Sequence, residues 1–158
     1  MRIEKHILLI IFFILLHTWA TGNNHQLDSL IETSKTAKDT TLINTLLRIA
    51  DIFKYSNQDT AIYYLGKAEK EAIKIHFEKG YAKALFVHGN VLYFNNNYSE
   101  AKDYFRRGLE LSENGNNKLL EAKCLERLAS LHLTTNDPNL ALKLYYESLV
   151  IYNRKIEK

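Results

Sequence analysis

Small side chains recur in a fixed register along this chain, and that register leaves few folds open. Gly89 is followed twelve residues later by Ala101, sixteen later by Phe105 and nineteen later by Gly108. Ala129 is followed at the same intervals by Ala141, Tyr145 and Ser148, and Ala50 by Ala61, Leu65 and Ala68 with one residue deleted in the turn. Glycine weakens a helix interior by about 1 kcal/mol relative to alanine, so a glycine in HGNVLYF needs a compensating gain. Close approach of two helices, with a large side chain filling the adjacent space, supplies it. Each unit therefore reads as a helical hairpin.

The rest of the pattern agrees. Beyond about Gln26 apolar residues recur at three and four, as in Leu46, Ile49, Ala50, Phe53 and in Ala101, Tyr104, Phe105, Gly108, Leu111, with no strand alternation. A single proline among 158 residues favours helix, and the fold class is all-α, one domain long enough to bury a core. Breaks fall at SNQDT, NNN, ENGNN and TNDPN. In the last of these Asp137 is placed to cap a helix and Pro138 to occupy its first position.

Residues 1–22 read differently. Arg2 and Lys5 precede an uninterrupted apolar run from Ile7 to Leu16, and small residues follow at Ala20-Thr21-Gly22. That order is a secretory signal peptide, with cleavage after Gly22, or after Ala20 as the nearest alternative. The run is too short for the roughly 18 to 20 apolar residues of a spanning helix. Export places the mature chain in the periplasm or cell envelope. The one cysteine, Cys124, has no partner for an internal disulfide, so packing alone must hold the domain.

These small and aromatic positions resemble the tetratricopeptide repeat, most clearly in the stretch GN…Y…Y..A…F..GL.L. The resemblance implies a right-handed superhelix of stacked antiparallel helix pairs, with units over 42–80, 81–117 and 118–158. Residues 23–41, with Leu27, Leu30, Ile31, Ser34 and Ala37 on one face, form an amino-terminal capping helix. His88 stands where the family usually has leucine. The step from Gly89 to Ala129 exceeds the family's simplest 34, which implies extended second helices and a loop such as ENGNN.

In such an array the first helices line a concave wall. The stripe opposite the core is Asn44, Leu47, Asp51 and Tyr55, then Lys83, Phe86, Asn90 and Tyr93, then Lys123, Glu126 and Ser130. Ring faces, amides and lysines suit an extended or helical peptide. Asn90 also falls where chaperone-binding relatives carry an asparagine that clamps a carboxylate, but Phe86 replaces the lysine expected one turn earlier.

Chemistry finds little support. His88 and His132 occupy core-stripe positions without ligands at metal spacing, and Cys124 sits among leucines and alanine. Phosphate loops, nucleophile elbows and zinc motifs are absent from the sequence. The expectation is no enzyme, no cofactor, no metal and no small-molecule substrate. A net charge of +3 with scattered lysines argues against nucleic acid. The carboxyl-terminal segment is apolar around most of its circumference, and Leu142, Tyr146, Leu149 and Ile151 form a candidate docking helix. Self-association through it is one way to cover it. The reading is a non-catalytic interaction scaffold. The alternative is the sensory input portion of a transmembrane histidine kinase or transcription regulator, since exported arrays with this long step resemble those proteins.

Overall fold

The computed structural model describes residues 26–156, so the signal-peptide reading lies outside the described residues. Helix α1 covers 26–36, followed by α2 (Asp39–Phe53), α3 (Gln58–Lys74), α4 (Glu78–Phe94), α5 (Tyr98–Asn114), α6 (Lys118–Thr134) and α7 (Pro138–Ile156). The described residues contain no strand, and no helix among them is long and apolar enough to cross a membrane.

From α3 onward each helix starts 20 residues after the one before. The cause lies in four equivalent turns. Phe77 N–H donates to the Ala72 carbonyl at 2.8 Å, Asn97 to Leu92 at 2.9 Å, Asn117 to Ser112 at 2.8 Å and Asp137 to His132 at 2.8 Å. The residues before them, His76, Asn96, Asn116 and Asn136, have φ of 53°, 63°, 52° and 59°. This is the Schellman closure, which satisfies carbonyls that a helix end leaves free. Asparagine is the side chain that best tolerates the left-handed region after glycine. Gly115 precedes that position rather than filling it. Four of the five caps that follow the turns are Asn or Asp, and Asn57, Asn117 and Asp137 accept from the backbone N–H of Thr60, Leu120 and Leu140.

Two expectations change here. The long step is shared by both helices of a hairpin, since α4, α5 and α6 have 17 residues each, and ENGNN contributes only a three-residue connection because α5 runs through Asn114. The residue missing from the first unit comes out of α2, which has 15 residues, while its turn has one residue more than the others.

Helices pack most extensively within the hairpins α2–α3, α4–α5 and α6–α7, then between successive hairpins through α3–α4 and α5–α6. First helices also touch one another, α2 with α4 and α4 with α6. Those contacts put α2, α4 and α6 on the inner wall. The role of the small residues is direct. A Cβ on Gly89 would lie 2.6 Å from the ring of Phe105, which is fully buried. Ala50 meets Leu65 in the first core cluster, and Ala129 stands in the same column as Gly89.

Candidate peptide-binding groove

Between α1, α2, α4 and α6 lies an open cavity of about 730 Å³. Leu30, Leu47, Phe77, Phe86 and Leu120 give it an apolar floor, and Arg48, Lys79, Lys83 and Lys123 stand around it with Asp51 as the one acid among its lining residues. Asp51 is already paired with Lys54 at 2.7 Å. Lys83 Nζ donates to Asn44 Oδ1 at 3.3 Å, tying α4 to α2. Among the described residues no carboxylate pairs with any of the four groove cations. Local sequence explains the floor. Phe77 takes the cap position where α3, α5, α6 and α7 have Asn or Asp, and its ring lies where a side chain on Gly80 would have to go.

The stripe expected from sequence divides in four. Asn44, Leu47, Asp51, Lys83, Phe86 and Lys123 line the cavity, with Leu47 buried in its floor. Tyr55 and Tyr93 belong instead to an aromatic rim at the carboxyl ends of α2 and α4. Tyr55 meets Phe94 edge-on at 4.7 Å, Tyr93 lies 5.4 Å from Phe94, and the Arg127 guanidinium sits 5.6 Å from the Phe94 ring. Asn90 is 9% exposed and its Oδ1 has no hydrogen-bond partner among the described residues. Glu126 and Ser130 turn toward α7. The Ser130 hydroxyl lies 3.0 Å from that of Tyr145, and burial followed by the charge of Glu126 and a hydrogen bond to it raises the Tyr152 pKa. On α6 the expected stripe steps from Lys123 to Glu126 and Ser130, whereas the residues that face the cavity and its aromatic rim are Leu119, Lys123 and Arg127, four apart. Sequence reasoning also missed Arg48, Lys79 and Leu120; Arg48 and Lys79 each fall four residues from a stripe member.

On α7, Leu142, Tyr146 and Leu149 are 71%, 68% and 53% exposed. They are not equivalent. Tyr146 shares its column with Arg106, which is exposed, and with Gly66, whose surroundings are open, so that column faces outward in every hairpin. Leu149 shares its column with Leu109, which packs on the following hairpin. Ile151 is half-buried and turns into a separate recess with Arg154, Lys79 and Leu119, so it does not continue the exposed face.

His88 is buried with Nδ1 2.7 Å from Glu69 Oε1, and His132 Nδ1 lies 3.5 Å from Asp137 Oδ2. Among the described residues no three His, Cys, Asp or Glu are grouped to hold a metal. Cys124 is fully buried beside Gly108, and burial, with Glu113 adding to it, pushes its thiol up to about 12. A thiol held protonated is a poor nucleophile.

Stacked antiparallel hairpins with first helices inward define a helical-repeat scaffold. The family model described as tetratricopeptide repeat matches residues 81–154, from α4 into α7, and the seven helices among the described residues have the all-α superhelical arrangement of that repeat. Among curated proteins none matches the chain. The repeat is one that generally mediates protein–protein interaction.

Proposed function

We propose that this protein is a non-catalytic scaffold of the cell envelope whose concave groove captures a peptide carrying acidic groups and apolar side chains. The observation that carries the reading is the groove itself: four cations that pair with no carboxylate among the described residues surround an apolar floor. Apolar anchors supply the affinity, and the cations select against basic or neutral sequences. Export rests on the order of charge, apolar run and small residues over 1–22. A second surface, Leu142 and Leu149 on α7, supports self-association as the way that face is covered.

An array of seven- to twelve-residue peptides tests the groove. Acidic–apolar sequences bind the wild type and lose binding as salt rises. The Lys83→Glu/Lys123→Glu variant loses them while its helical content holds. Equal capture by the variant would refute the groove assignment.

A further inference from the structure

The 40-residue step allows the two junctions between hairpins to be compared column by column. Glu69 on α3, His88 on α4 and Tyr104 on α5 stand 40 residues before Leu109, Leu128 and Leu144. The later trio is apolar throughout, with Leu109 and Leu144 packed against buried Leu128. Every member of the earlier trio is polar. His88 and Glu69, in contact at 2.7 Å, have side chains only 10% and 18% exposed. The His88 ring lies over that of Tyr104 with centroids 4.0 Å apart. Arg107 lies over the Tyr104 ring at 5.6 Å and donates to the Tyr81 hydroxyl at 2.6 Å. Burial and then the nearby Glu69 carboxylate raise the Tyr104 pKa, with Arg107 opposing them.

A carboxylate withdrawn from water and met by one imidazole contributes less net stability than leucine packed in the same space. A further difference marks the first junction. Where α5 adds Leu109 and Leu111 to its junction, α3 has Glu69 and Glu71 in the same columns. The groove lies across this seam, with Leu47, Arg48 and Asp51 on one side and Lys83, Phe86 and Lys123 on the other.

We propose that the α3–α4 junction is the articulation of the array. Helices α2 and α3 separate as a unit from α4–α7 when the Glu69–His88 contact breaks, and a ligand in the groove, touching both parts, holds the seam closed. The ligand effect rests on the groove reading. The opening is a property of the free protein.

Hydrogen exchange on the full chain, read helix by helix, is the test. Amides of α2 and α3 exchange together and about tenfold or more faster than those of α5 and α6. His88→Leu, which strands the Glu69 carboxylate, speeds α2 and α3 by about a further tenfold and leaves α6 and α7 unchanged. Glu69→Leu/His88→Leu installs the leucines of the later junction at the two contacting positions, is expected to fold, and slows α2 and α3 to the rate of α5 and α6. One common rate from α2 to α7 overturns the proposal, and so does a double variant in which α2 and α3 stay fast. A groove that binds no peptide leaves these rates untouched, so the two readings fail separately.

Discussion

The first and second hairpins meet the same packing problem with different residues. In α4–α5 the column holds glycine against Phe105, and in α2–α3 it holds alanine against Leu65. What is kept is the combined volume at the crossing, so that neither helix is pushed from its neighbour. The turns differ as well. Asn96 closes α4 in the left-handed region, whereas Ser56 and Asn57 both donate to the Phe53 carbonyl and no residue between α2 and α3 has positive φ.

Removing the large partner should have the greatest effect. Phe105→Ala is expected to cost about 3–5 kcal/mol, and Leu65→Ala about 2–5 with a smaller residual cavity; urea unfolding measures both. If Leu65 proves the costlier, the second hairpin is not the better-packed one. The glycines give a sharper contrast because the sign reverses. Gly89→Ala meets the Phe105 ring and costs about 1–3 kcal/mol. Gly66→Ala, with nothing within 4 Å of the added carbon, gains about 0.5–1 kcal/mol. A loss at both would mean that the open space around Gly66 is needed.

At the turns, Asn96→Ala should cost about 1 kcal/mol through its left-handed backbone, and Ser56→Ala close to nothing. Equal losses would show that the two turns share a constraint other than φ. The smallest effect concerns Cys124, which stands in the column of Ala84. Its thiol is raised from 9.0 to about 12, so the folded state holds a proton that the unfolded state gives up first. Its contribution is present below about pH 9 and is lost as pH climbs toward 12. Cys124→Ala should flatten that part of the stability profile, and at neutral pH a thiol reagent should label the wild type only as fast as it unfolds.

The hairpins were legible in the sequence because Gly89, Ala101, Phe105 and Gly108 are constrained by contact with one another, and contact at a fixed register leaves a fixed spacing. The finer 20-residue step escaped notice because its markers, Asn96, Asn116 and Asn136, are joined by His76, which has no obvious kinship with them. About half of the stripe lines the cavity. Asn90 and Leu47 are buried because first helices are covered by their hairpin partner and by each other, which narrows the solvent face below what one helix would show. The Glu69–His88 contact joins different hairpins across 19 residues, and helical periodicity carries no information on that pairing.

Equal helices also fix a length. Seventeen residues at 1.5 Å each make rods of about 25 Å, and the turns hold α4 and α6 to the same size. A fully extended peptide advances about 3.3–3.6 Å per residue. Laid along these rods it would meet about seven residues' worth of wall before either end reached open water. On the proposed function, the spacing of the asparagines would therefore set how much of a partner's sequence this surface reads.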